Sequence, residues 1–272
     1  MFTKFFAAED GPHIAIAPEK IFEINGFAIT NSMIYGWVCG ILIIAAFAYL
    51  AKRISYKGSK GPAQLIDYGT EFIINVLTTA LNSRSKAIKY APLFVTTFFF
   101  IIANNWLGLL PGVGLAINHD GTALFRPFTA DFNGTLSIAL VMIVIVQTLA
   151  IRESGALKHL RHYFQGSLKN PMTLALGALE LFSEFTRLIS LALRLFLNVV
   201  IGEILISVFA YLAGPGAPLG ALPFTLMEIF VGLLQAYIFV MLCASYLGVA
   251  TAHNHHDEDY ATEPDKPTEA RV

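Results

Sequence analysis

The chain has 272 residues, of which 18 Lys and Arg and 19 Asp and Glu make up 14 %, against roughly 25 % in soluble globular proteins. Apolar residues reach 56 % and include 22 Phe, which excludes a disordered chain and leaves too little polar surface for an ordinary soluble enzyme. A net charge of −1 lacks the basic footprint that nucleic acid requires, so the composition is that of a membrane protein.

Residues 1–18 are mixed, contain Glu9 and Asp10, and lack the basic start and apolar core of a cleavable signal peptide. Insertion is therefore expected to depend on internal spans. The first covers 29–50, about 20 residues, the length a helix needs to cross a bilayer. Lys52, Arg53, Lys57 and Lys60 follow it. The segment 64–81 sets Asp67 and Glu71 among Leu65, Ile66, Phe72, Ile73 and Leu77, an amphipathic pattern expected of a helix at the interface. A second span covers 93–110 and stops at Pro111-Gly112. The Gly- and Pro-punctuated stretch 113–133 reads as a loop, and Asp131 or Asn133 is placed to cap a third span over 135–151. A basic loop with Arg152, Lys158, Arg161 and Lys169, together with His159 and His162, precedes Asn170-Pro171, a cap and first-turn pair. No further proline interrupts 171–213; Gly214-Pro215-Gly216 ends that run, and a last run extends over 219–251. The tail from Ala252 is polar and acidic and is expected to be disordered. Cys39 and Cys243 lie inside apolar runs and match neither a disulfide framework nor a zinc spacing, so both read as inert small residues.

Five crossings put Lys52, Arg53, Lys57, Lys60, Arg84, Lys86, Lys89, Arg152, Lys158, Arg161 and Lys169 on one side and only Lys4, Lys20 and Arg126 on the other. That bias assigns the basic loops to the cytoplasm or matrix. The expected architecture is an all-α polytopic membrane domain over 1–272. It has an outer-side segment 1–28, membrane-embedded helices within 29–251 and an inner-side tail 252–272.

The fourth run carries Glu180, Glu184, Arg187, Arg194 and Glu203 amid Leu, Phe, Ile and Val. An ionisable chain at bilayer depth costs about 2.5–3.5 kcal/mol even on the gentlest scale, so five in one run need a purpose. A helix of this length would measure roughly 65 Å, twice the hydrocarbon thickness. The run must therefore either lie steeply tilted or break into two half-helices near Gly177 or Gly202. At about 100° per residue, Glu180, Glu184, Arg187, Arg194 and Asn198 share one stripe, whereas Glu203 falls near the opposite face. Glu180, Glu184 and Arg187 are close enough for a charge network. The nearest partner of Arg194 on its stripe is the neutral Asn198, which points to a counter-ion supplied by another chain. In the last run Glu228 and Gln235, seven residues apart, share a face. If the two runs form an antiparallel hairpin, Glu203 and Glu228 sit at similar depth, where two carboxyls disfavour simultaneous ionisation, a setting suited to passing protons.

The segment Ser190-Leu191-Ala192-Leu193-Arg194-Leu195-Phe196-Leu197-Asn198, closing with Gly202-Glu203, resembles the signature of subunit a of F-type ATP synthase. Leu234-Gln235-Ala236-Tyr237-Ile238-Phe239 is similar to that family's last-helix motif. Asn105 to Leu109-Leu110-Pro111 and Thr129-Ala130-Asp131-Phe132-Asn133 are similar to the end of its second span and the start of its third. The resemblance implies a non-catalytic, proton-translocating stator subunit with no ATP site, no cofactor and no metal. It implies two offset half-channels beside a ring of c subunits, peripheral-stalk b subunits as further partners, and a bacterial plasma membrane or an organellar inner membrane. It makes Arg194 the separator of the half-channels and Asn198, Glu203, Glu228 and Gln235 the polar positions along them. Glu180, Ser183, Glu184 and Arg187 form a supporting network. Glu228 stands where many bacterial relatives have His, and Leu197 where relatives usually have Gly. Two other readings are a secondary transporter binding an anion at Arg194 and a membrane-embedded enzyme with a metal site suggested by His159 and His162 and by the tail group His253, His255, His256 and Asp257. A solvated tail accounts better for the histidines.

Overall fold

A backbone in hydrocarbon must satisfy every N–H and C=O internally, and the apolar runs do so as helices. The computed structural model describes residues 20–24, 27–51, 61–110, 126–154 and 171–261. Strands β1 (Lys20–Ile24) and β2 (Phe27–Thr30) pair antiparallel, with Phe22 opposite Ile29 and Ile24 opposite Phe27. They lead directly into α1 (Asn31–Ala51), which is followed by α2 (Pro62–Leu81), α3 (Arg84–Gly108), α4 (Phe132–Ser154), α5 (Pro171–Leu212) and α6 (Ala217–Ala261). Short 3₁₀ turns at Phe128–Ala130 and Gly214–Gly216 precede α4 and α6. Helices α1, α3, α4, α5 and α6 are long and apolar enough to cross a membrane.

Local chemistry sets the helix ends. Pro62 opens α2 at a position that has no use for an N–H, and Asn82, at φ 49°, closes it in the left-handed region. Ser83 then accepts the Lys86 N–H and starts α3. A two-residue joint therefore folds α2 back on α3. Asp131 performs the same service for α4: its Oδ1 accepts the Asn133 N–H at 3.0 Å and its carbonyl accepts the Thr135 N–H.

The core lies among α2, α3, α4, α5 and α6. Ile73 and Leu77 of α2 and Phe94, Phe98 and Ile101 of α3 are buried together with Leu191 and Leu195 of α5 and Phe239, Val240 and Leu247 of α6. Small residues let backbones approach, as helix packing in lipid favours. A Cβ on Gly248 would strike the Ala80 carbonyl. Gly248→Val is accordingly expected to force α2 from α6 and cost about 1–3 kcal/mol, read as a thermal midpoint several degrees lower in the purified assembly. Large apolar residues stay exposed along α1 (Trp37, Ile41, Ile44) and α4 (Leu140, Val141, Val144), faces that suit lipid.

Helices α5 and α6 run side by side in opposite directions. Phe209 stacks on Phe224 at 3.9 Å, Gly202 touches the Glu228 carboxyl, and Arg187 lies over the Tyr246 ring at 4.2 Å. Of the run 171–213, Pro171–Leu212 forms one unbroken helix of 42 residues, and Gly202 sits inside it without a break, so the half-helix alternative does not hold. Three boundaries differ from the hydropathy pattern. Helix α3 begins at Arg84, ahead of its apolar stretch, because Ser83 caps it. The hairpin at 20–30 is too short to register beside the spans. Helix α6 continues to Ala261, past Ala252, because no proline arises before Pro264. His159, His162 and residues 262–272 lie outside the described residues.

Candidate functional site

Arg194 projects from the middle of α5. On one side of the helix Leu191, Ala192 and Leu195 are buried in the core; on the other, Leu193, Leu197 and Ile201 are exposed together with Arg194. The guanidinium thus stands on an uncovered apolar stripe. Among the described residues it forms no hydrogen bond and no ion pair. Asn198, one turn on, is half-buried, and its Nδ2 has no hydrogen-bond partner.

Two polar groupings bracket Arg194 along the α5–α6 pair. Toward the start of α5, Glu184 accepts from Gln147 Nε2 of α4 at 2.6 Å and from Arg187 Nη1 at 3.2 Å. The Arg187 guanidinium stacks on the Tyr246 ring, and Tyr246 is within electrostatic reach of Arg194. These contacts join α4, α5 and α6 at one level. Glu184 and Arg187 are thus paired, and Ser183 is exposed. The Glu180 side chain lies outside the described residues.

Toward the end of α5, Glu203 and Glu228 are brought together. Glu228 is 6 % exposed, its carboxyl rests on Gly202, and it is within electrostatic reach of Glu203. A Cβ at position 202 would overlap the carboxyl as it lies, so a side chain there would require Glu228 to shift. One further turn along α6, Asn105 of α3 donates Nδ2 to the Gly232 carbonyl at 3.3 Å, and Trp106 donates Nε1 to the Ile229 carbonyl at 3.0 Å. Gln235 follows, 5 % exposed. The buried Asn105 Oδ1 and Gln235 Nε2 have no hydrogen-bond partner. Unsatisfied buried amides are costly.

Sequence reasoning missed the outer part of this grouping. Ser32, at the start of α1, donates to Asp131 Oδ2 at 2.7 Å, and Thr30 shares a hydrogen bond with Ser32 at 3.0 Å. Arg126 is 7 % exposed and donates Nη2 to the Ala130 carbonyl at 3.0 Å. Arg126 and Tyr35 are both within electrostatic reach of Glu203. Asn105 was visible only as part of a motif, Asp131 as part of a motif and as a candidate helix cap, and Arg126 only as a loop charge. Among the described residues no group of three His, Cys, Asp or Glu is suited to hold a metal. Cys39 and Cys243 are buried and free.

Comparison with known proteins identifies relatives of the chain. The family model described as ATP synthase A chain matches residues 33–248. "ATP synthase subunit a 2" of Chlorobaculum tepidum is 30 % identical, over 93 % of this chain and 70 % of that protein. "ATP synthase subunit a" of Myxococcus xanthus is 27 % identical, over 86 % of this chain and 76 % of that protein. The protein of the same name from Moorella thermoacetica is 27 % identical, over 85 % and 95 % respectively. With an exposed arginine set between two polar groupings on paired membrane helices, and with the family model spanning most of its length, the chain belongs to the ATP synthase A chain family.

Proposed function

We propose that this chain is the proton-translocating stator subunit of an ATP synthase membrane sector and that Arg194 separates two offset half-channels beside a rotating c ring. The observation that carries this reading is the exposed, unpaired Arg194 on an apolar stripe. At about 1.5 Å per residue, it lies about 10 Å along α5 from Arg187 and about 14 Å from Glu203. Protons arrive from the outer side by way of Glu203 and Glu228, pass the amides of Asn105 and Gln235, and neutralise a carboxylate on the ring. The neutral carboxyl then rotates into lipid, where its charged form would be costly. After most of a turn it meets the grouping around Glu184 and Arg187 and releases its proton to the inner side.

Arg194 attracts the returning carboxylate. Its guanidinium, with an ordinary pKa above about 12, never gives up a proton, and its charge repels hydronium, so the two paths do not short-circuit. The driving force is about 2.3 kcal/mol per charge per 100 mV. The basic residues of the loops orient the chain so that the α5–α6 turn faces outward, in a bacterial plasma membrane by analogy with its bacterial relatives. Peripheral-stalk b subunits are the further partners. A helix of 42 residues exceeds the hydrocarbon thickness of about 30 Å twofold, so α5 lies tilted and sweeps its stripe along the ring.

Paired cysteines test the reading. Leu197→Cys or Ile201→Cys, combined with cysteines near the mid-membrane carboxyl of the c subunit, is expected to yield an oxidant-induced disulfide between the two chains. Leu140→Cys on the exposed face of α4 serves as the control. Cross-linking from α4 and none from α5 would overturn the assignment.

A further inference from the structure

Helices α5 and α6 carry two arginines, Arg187 and Arg194, and no lysine. Their spacing places the two on one stripe of α5, about 10 Å apart along its axis. Their surroundings differ. Arg194 is exposed and forms no hydrogen bond or ion pair among the described residues, whereas Arg187 is held from two sides. Its Nη1 donates to Glu184 Oε1 at 3.2 Å, and its guanidinium lies over the Tyr246 ring of α6 at 4.2 Å. Both members of the ion pair are mostly covered, with side chains 30 % exposed for Arg187 and 19 % for Glu184. The other carboxylate oxygen is engaged separately, because Gln147 of α4 donates Nε2 to Glu184 Oε2 at 2.6 Å.

The donor on α4 is itself fixed. Ala139, Met142, Val146 and Ala150 seat one face of that helix in the core. Nearly two turns beyond Gln147, Glu153 accepts from Lys89 Nζ at 2.7 Å and from the Tyr90 hydroxyl, both of α3. A glutamine amide is neutral, so it gives Glu184 a second donor without a second charge to pair with. The carboxylate thus stays the counter-ion of Arg187 and is oriented from outside α5. An ion pair between neighbouring turns holds its own side chains only weakly. An arginine released from this hold would stand as a second cation on the stripe of Arg194.

We propose that Gln147 is a positioning residue: by fixing Glu184 it keeps Arg187 paired and turned from the uncovered stripe, so that of the two arginines only Arg194 is open to a ring carboxylate. The proposal rests on the reading of Arg194 as the separator of the half-channels and deepens it. A second open cation would hold the carboxylate on the inner side of Arg194 and delay its passage, since opposite charges attract strongly where water is scarce. Glu184 and Arg187 then serve the inner path as a matched pair that presents no net charge to the ring.

The test uses the whole reconstituted complex, with ATP synthesis measured at a fixed driving force. Gln147→Leu keeps the bulk, removes the donor and is expected to lower the rate several-fold. Glu184→Gln removes the counter-ion and is expected to lower it about tenfold, between the small effect of an exposed pair and the large effect of a buried one. Adding Arg187→Gln to either variant is expected to recover most of the lost rate, because coupled residues are not additive. Adding Arg187→Lys, which keeps the cation, is expected to recover none. Loss of a purely structural tie has no reason to depend on the charge at position 187. Should Glu184→Gln fail to assemble, the Gln147→Leu series supplies the same comparison. Parental rates in both single variants, a fall that Arg187→Gln does not relieve, or equal relief by Arg187→Gln and Arg187→Lys would each overturn the proposal. If one of these occurs while Arg194→Ala abolishes coupled synthesis, the proposal fails and the reading of Arg194 stands; if Arg194→Ala retains coupled synthesis, that reading itself fails.

Discussion

Arg194→Ala is expected to abolish proton-driven ATP synthesis in the reconstituted complex while leaving the assembly intact. The side chain is exposed and makes no contact that holds α5 in place, so folding does not depend on it. Coupling does. Without the guanidinium, a ring carboxylate that reaches the stator meets no counter-charge in a hydrocarbon setting. A mid-membrane charge costs about 2.5–3.5 kcal/mol on the insertion scale, which slows each passage by roughly 70- to 400-fold. Passive proton leak persists or rises, because the charge that kept hydronium from crossing between the two paths is gone. Arg194→Lys restores the charge without the planar fork and is expected to recover only a small part of the rate. Synthesis driven by an imposed proton gradient, with leak followed in parallel, checks both outcomes.

Glu228→Gln is expected to have the next largest effect. The carboxyl is buried at 6 % exposure, it fills the space that Gly202 leaves, and Glu203 is its neighbour. Glutamine fits the same space but cannot carry a transferable proton. A positioned proton donor or acceptor contributes about 10²–10⁴-fold, so transport is expected to fall by at least about 100-fold. The fall isolates the proton-carrying role because shape is conserved. Glu228→His puts a titratable group back with an ordinary pKa of about 6.5 in place of about 4.3. Transport is then expected to return at least in part, with a pH profile different from that of the parent. Pumping rates measured across pH for the two variants check this, and near-normal transport in Glu228→Gln would count against the relay.

The charged residues most readily found from sequence are those that hydrocarbon makes conspicuous. Arg194, Glu203 and Glu228 announce themselves because each is an expensive residue in an apolar run, and helical periodicity is enough to separate the faces of Arg194 and Glu203. The Glu184–Arg187 pair was legible for the same reason, being one turn apart on a single helix. Its third member was not: Gln147 reaches Glu184 from α4, and nothing in either segment specifies that meeting. The outer grouping was hidden similarly. Ser32 and Asp131 join helices 99 positions apart in the chain, and Arg126 becomes a buried charge only once the Phe128–Ala130 turn has packed against α5. Periodicity reports what one helix does with its own faces; it does not report which loop closes over them.

The same distinction explains the element boundaries. Hydropathy measures the thickness of lipid a segment can cross, whereas caps and breakers determine where the helix stops. Ser83 therefore starts α3 ahead of its apolar stretch. The long run from Pro171 was ambiguous because a glycine inside an apolar segment can signal either a break or a close contact. At Gly202 it signals contact, since the Glu228 carboxyl occupies the space a side chain would need.

The central claim is that Arg194, which has no hydrogen-bond or ion-pair partner among the described residues, meets its partner on the ring. A cryo-electron microscopy map of the intact complex, at a resolution that shows side chains, tests it most directly. The expected result is the Arg194 guanidinium facing the ring, level with the mid-membrane carboxyl of a c subunit and between the Glu184 and Glu203 groupings. A map in which Arg194 is bonded to an acid of its own chain and turned from the ring would contradict the account.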